Sequence, residues 1–221
     1  MSISGQSPKG ARTELYVRTV SGVAMIAVAL ACLWIGGWAF GLLVLLAAAL
    51  MATEWFRLTR SRSLLFRLAG VPYVLLPTWA LFFARSQPEY GFGLTLWTLA
   101  IVWATDIGAY FAGRAIGGPK LAPALSPSKT WAGLIGGMVL AGLTAWGAAQ
   151  AGGLPPLAAW LGAPLAVLAQ AGDLFESGMK RRAGVKDSGA ILPGHGGALD
   201  RLDGVVPVAT VVGLLLWCGL L

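Results

Sequence analysis

From Thr19 to Thr53 the chain runs for 35 residues without an Asp, Glu, Lys or Arg. One helix of that length would reach about 52 Å, against a bilayer hydrocarbon core of about 30 Å. Gly36-Gly37 in the middle of the run supplies a break. The run therefore predicts two membrane helices in a hairpin, near residues 18–35 and 38–55. A third span fits between Arg67 and Arg85, and a fourth from about Gly91 to Gly113 with Asp106 inside it. The next uncharged run, Thr130 to Gly172, has 43 residues and is interrupted by Gly152-Gly153-Leu154-Pro155-Pro156. It predicts a fifth helix near 131–150 and a sixth near 157–172, and a seventh follows over about 205–221. The expected fold is all-α, a polytopic integral membrane helix bundle of about seven transmembrane helices.

Composition excludes the alternatives. The chain is 57% hydrophobic and 11% charged, where soluble domains carry about 25% charged residues. So few charges cannot cover a water-soluble fold, which rules out a disordered tail, a disulfide-stapled secreted domain and an ordinary soluble enzyme. Cys32 and Cys218 both lie in apolar runs and read as small hydrophobes. The ten tryptophans, and Glu54-Trp55 with them, read as interface anchors. Residues 1–12 read as a mobile tail, 13–90 as three N-terminal spans and 91–221 as a four-span domain with polar loops 114–130 and 173–204.

Seven spans alternate sides. With a cytoplasmic N-terminus, 15 of the 16 Lys and Arg residues fall on the cytoplasmic side and only Arg85 outside. That asymmetry is the positive-inside pattern, so the net charge of +7 is a topology signal and not a nucleic-acid footprint. The expected location is the inner (cytoplasmic) membrane.

Loop 173–204 holds five of the nine acidic residues, five basic residues and the single His, His195. Its start continues the sixth helix, with Asp173, Glu176, Ser177 and Lys180 on one face. For Glu176 a solvated, self-paired helix end is sufficient. Asp173 sits at the membrane boundary, where an ionised carboxylate is costly without a cation or pocket. Further on, Pro193-Gly194-His195-Gly196-Gly197 gives backbone amides close access to a ligand, and Asp200 and Asp203 precede the seventh span. Asp173 and Asp200 end neighbouring helices, and such hard oxygen ligands suit Mg²⁺ on a substrate phosphate. With Lys120, Lys129, Lys180, Arg181, Arg182, Lys186 and Arg201 around them, they describe a polyphosphate site. Arg57, Arg60 and Arg62, away from carboxylates and glycine turns, read as cations for anionic lipid. Asp106, Tyr110 and Gly113 line one face of the fourth helix and read as a pocket wall.

These residues carry a resemblance. Ser177-Gly-Met-Lys180-Arg181, then Lys186-Asp187 after four residues, then Pro193-Gly-His195-Gly196-Gly197-Ala-Leu-Asp200-Arg201-Leu-Asp203, closely resembles the signature of the phosphatidate cytidylyltransferase (CDP-diacylglycerol synthase) family. Asp106-Ile-Gly-Ala-Tyr110-Phe-Ala-Gly113-Arg114 and Leu121-Ala-Pro-Ala-Leu-Ser126-Pro127-Ser-Lys129-Thr130-Trp131 are similar to it as well. Ala198 stands where the family favours a larger aliphatic residue, and Ser128 and Ala132 where it commonly has a Lys or Asn and a Glu. The resemblance implies transfer of CMP from CTP to phosphatidate, giving CDP-diacylglycerol and pyrophosphate. It implies Mg²⁺ held by Asp173 and Asp200, room for a monovalent cation such as K⁺, and a homodimer. Catalysis would fall to Asp173, Lys186, Asp187, Asp200 and Arg201. Substrate contacts would come from Asp106, Tyr110, Lys120, Ser126, Lys129, Thr130, Ser177, Lys180, Arg181, His195, Gly196, Gly197 and Asp203. The competing readings are a related nucleotide-dependent lipid transferase or kinase with another acceptor, and an anion transporter.

Overall fold

The computed structural model of the protein describes residues 8–191 and 196–221, with backbone alone for 8–15, 17 and 18. His195 and Pro193 lie outside the described residues, as do residues 1–7 of the expected tail. The chain is a helix bundle: α1 (Pro8–Ile35), α2 (Gly37–Leu58), α3 (Leu64–Leu68), α4 (Gly70–Arg85), α5 (Gly91–Ala115), α6 (Trp131–Gly152), α7 (Gly162–Arg182), α8 (Leu199–Leu202) and α9 (Val205–Trp217). Helix α1 already includes residues 8–12, which the sequence assigns to a tail.

The breaks fall where the uncharged runs are interrupted. Gly36 and Gly37 both take positive φ, 69° and 48°, which a side chain would resist. The Arg85 guanidinium closes the end of α1, donating to the carbonyls of Leu33 at 2.8 Å and Trp34 at 3.2 Å. The single basic residue expected outside thus satisfies helix-end carbonyls with a cation. Left-handed Gly153 ends α6, and a 3₁₀ turn, Pro156–Trp160, leads into α7. Among the described residues, four helices are long and apolar enough to cross a membrane: Gly37–Leu58, Leu64–Arg85, Gly91–Ala115 and Trp131–Gly152. Thr19–Ile35 and Val205–Trp217 are shorter apolar helices, and α7 turns polar from Asp173 onward.

Loop 114–130 is not irregular. It contains an antiparallel hairpin, β1 (Lys120–Ala122) with β2 (Ser126–Thr130), in which Lys120 faces Thr130 and Ala122 faces Ser126. The Thr130 hydroxyl then accepts from the Gly133 amide at 3.0 Å and so caps α6.

Helices α5 and α6 pack through glycine. A Cβ on Gly108 would stand 2.5 Å from the Gly136 carbonyl oxygen, and one on Gly136 would stand 2.2 Å from the Ala112 Cβ. Backbones this close are a membrane-helix device, since small residues let dispersion contacts replace the hydrophobic drive that lipid removes. The main core gathers Leu94, Trp97, Ile101, Ala141, Leu165, Val208 and Val212. A second one, Met51, Trp55, Leu58, Val74, Met179, Leu199 and Val206, lies under the polar loop. Trp55 belongs to that core, which corrects its reading as an interface anchor. It is 1% exposed, donates its indole N–H to the Arg67 carbonyl at 3.1 Å and stacks on Phe66. Trp97 is buried likewise, whereas Trp34, Trp38 and Trp160 stand exposed.

Candidate active site

The polar residues converge between the C-terminal half of α5, the end of β2, the middle of α7 and the turn from α8 to α9. Lys129, on β2, donates to Gln170 at 2.8 Å and forms an ion pair with Asp173, both on α7. These three line a cavity of about 410 Å³ together with Asp106, Tyr110 and Gly113 of α5 and Thr130. Asp106, Tyr110 and Gly113, read in the sequence as one face of the fourth helix, thus line this cavity beside Lys129 and Asp173. Ser177 reaches back to Asp173, donating its hydroxyl at 3.3 Å. Ser126 is 3.5 Å from the Ser128 hydroxyl on the hairpin, and Lys120 is exposed beside it.

The carboxylates gathered with Asp173 are Glu176 and Asp203. One oxygen from each lies within 4.8 Å of the others. Glu176 is fully buried, which corrects its reading as a solvated helix end; its partner is Lys180 at 2.7 Å. Burial, and then the charge of Asp173, push the Asp203 carboxyl up to about 7. Three hard carboxylate oxygens at that spacing fit the donor set of a divalent cation such as Mg²⁺.

Asp200 was expected to join Asp173 on one cation, and it has a different set of neighbours. One oxygen accepts from Lys180 at 2.6 Å. The other accepts from the amides of Ser188 and Gly197, each at 2.8 Å, and lies 2.9 Å from the Ser188 hydroxyl. Burial would raise this carboxyl, but Lys180, Glu176 and the two amides outweigh it and hold the group at about 2. Asp200 is therefore the organiser of a turn. Gly196, at φ +80°, takes a conformation that L side chains rarely adopt, and a Cβ there would come 2.8 Å from Asp200 Oδ2. Arg181, Lys186, Asp187 and Arg201 are all exposed along this loop.

Two residues that close the site were read otherwise in the sequence. Glu54, near the end of α2, is 1% exposed and accepts from the amides of Ala198 and Leu199 and from the Ser188 hydroxyl, each at 2.9 Å. Arg57, one turn on, donates to the Ser188 carbonyl. Glu54 is thus no interface anchor, and Arg57 has a glycine turn beside it after all. The rule that singled out Asp106, a carboxylate inside an apolar helix, applies equally to Glu54. Gln170, only 6% exposed in an apolar stretch of α7, carries the same kind of signal.

A profile of the cytidylyltransferase family matches residues 16–80 and 62–218. The chain belongs to the cytidylyltransferase family. Among curated relatives, the phosphatidate cytidylyltransferase of Brucella suis biovar 1 (strain 1330) is 34% identical over 260 residues, covering 91% of this chain and 93% of that one. The phosphatidate cytidylyltransferase of Rickettsia bellii (strain RML369-C) is 36% identical over 214 residues, with 91% and 90% covered. That of Pseudomonas aeruginosa is 41% identical over 148 residues, with 65% and 55% covered. In this cytidylyltransferase the cavity, the acidic cluster and the Asp200 turn all fall within the matched span.

Proposed function

We propose that the protein is a CTP:phosphatidate cytidylyltransferase of the inner membrane, with its site facing the cytoplasm. The observation that carries this reading is the cavity in which Lys129 and Asp173 meet Asp106 at the membrane boundary. A lipid headgroup and a soluble nucleotide can meet there. An anionic oxygen of the phosphatidate phosphate attacks the α-phosphorus of CTP, the bond from that phosphorus to the β-phosphate oxygen breaks, and pyrophosphate leaves. The nucleophile is already ionised, so the chain needs no strong general base. Its work is alignment and charge neutralisation. Lys129 orients Asp173 and adds positive charge at the cavity. The Asp200 turn orders Gly196 and Gly197, and the exposed Lys120, Arg181, Lys186 and Arg201 are the cations that would neutralise the leaving pyrophosphate. Asp173, Asp203 and Glu176 are the groups that would hold Mg²⁺. Such an ion, when bound, supplies charge neutralisation on the nucleotide phosphates.

The test uses purified protein in detergent with labelled CTP. Liponucleotide and pyrophosphate appear in equal amounts only when phosphatidate and a divalent cation are both present. Turnover with another lipid acceptor alone, or solute movement across liposomes without liponucleotide, overturns the reading.

A further inference from the structure

Glu54 and Arg57 belong to the N-terminal half of the chain, yet both end on Ser188 in the signature loop. We propose that they form a clamp that positions this loop for catalysis, acting through Ser188 and the start of α8. The inference rests on the transferase reading above, and neither residue touches substrate in it.

The Glu54 carboxylate accepts the Ser188 hydroxyl and the Ala198 and Leu199 amides, and so fixes the loop at two points ten residues apart. The backbone is cut to fit around it. A Cβ on Gly189 would stand 2.3 Å from Glu54 Oε1, and one on Gly197 would stand 2.5 Å from Oε2. Both positions therefore have no room for a side chain beside the clamp. Arg57 grips the opposite side of the same residue through the Ser188 carbonyl. Ser188, 0% exposed, then passes the constraint to Asp200, which takes its amide at 2.8 Å. Its single hydroxyl proton serves Glu54 or Asp200, each 2.9 Å away, one at a time. Loss of the clamp leaves Asp200 paired with Lys180 but frees the segment that presents Gly196-Gly197 and Lys186. A site whose supports are loose loses alignment well before it loses binding of the long apolar substrate.

The experiment compares wild type, Glu54→Gln and Arg57→Gln in detergent. Glu54→Gln keeps the shape but turns an amide N–H₂ toward amides that need an acceptor. Its kcat is expected to fall about 10- to 100-fold, with KM for phosphatidate within about threefold. Hydrogen exchange should rise across 186–201 and stay unchanged across α6. Arg57→Gln, at an exposed position, is expected to lose kcat several-fold with the same local exchange pattern. If Glu54→Gln does not accumulate folded, Arg57→Gln decides. A folded variant with kcat within twofold of wild type, or with unchanged exchange in 186–201, overturns the clamp. Exchange that rises equally in α6, with kcat falling only in proportion to folded protein, also overturns it and makes Glu54 merely structural. Inactive wild type would sink the transferase reading instead, and the exchange comparison would still judge the clamp.

Discussion

Asp173, midway along α7, meets Lys129, Ser177 and two further carboxylates, Glu176 one turn on and Asp203 just before α9. Its replacement by Asn keeps the volume and removes the charge that Lys129 and a cation both need. Asp173→Asn and Asp203→Asn should each lower turnover by at least about a hundredfold, and the double variant should be little worse, because the groups act as one unit. Initial rates at rising Mg²⁺ check this; near-normal turnover at saturating cation in either variant removes the proposed cation site. Thr130 makes a prediction about stability. Its hydroxyl accepts from the Gly133 amide and so caps α6, and Thr130→Ala should cost about 1 kcal/mol of stability. Thermal unfolding in detergent reads that cost. Asp173 and Asp106 were legible in the sequence because a carboxylate at a membrane boundary is rare and expensive. Glu54 was hidden by its place next to Trp55, where an aromatic-belt reading is cheaper. Only the fold reveals that Ser188, Ala198 and Leu199 lie over it and supply three donors. Glu176 was hidden for the opposite reason, since a pair with Lys180 four residues on looks solvated until the helix is seen packed.

Element boundaries were largely legible, since the expected 38–55, 91–113 and 131–150 correspond to α2, α5 and α6 within a few residues. Absence of charge and paired glycines set those limits, and both are local signals. The β1–β2 hairpin was not legible. Its strands are three and five residues long and the second contains Pro127, so no alternation of apolar and polar residues announces them. Contact between α5 and α6 was visible only as an excess of glycine. Its physical content is the Gly108–Gly136 approach, which also sets the cavity wall carrying Asp106. Gly136→Val forces the helices apart and should cost about 1–3 kcal/mol. The melting temperature should fall, and CTP turnover should drop even in the fraction that remains folded. Unchanged melting would mean that the backbones do not meet as described.

At the scale of the whole molecule, the charge asymmetry makes a prediction about sidedness. In a variant without Cys32 and Cys218, single cysteines at Ala190 and Pro88 sit at exposed positions on opposite sides of the proposed topology. A membrane-impermeant thiol reagent added to intact cells should label the cysteine at 88 and spare that at 190 until the membrane is opened. The reverse pattern would turn the molecule over. The clamp between Glu54 and Ser188 also sets an order of events during synthesis. Helix α2 leaves the ribosome 134 residues before its serine partner and 145 before the Leu199 amide. At about 5–20 residues per second, a carboxylate destined for burial waits on the order of ten seconds or more without its acceptor role filled. Insertion of the early helices can therefore be complete while the enzyme is still unassembled. A chain released before residue 199 would be a membrane protein with an unsatisfied charge near the end of α2, a feature by which cellular quality control could tell the unfinished product from the finished one.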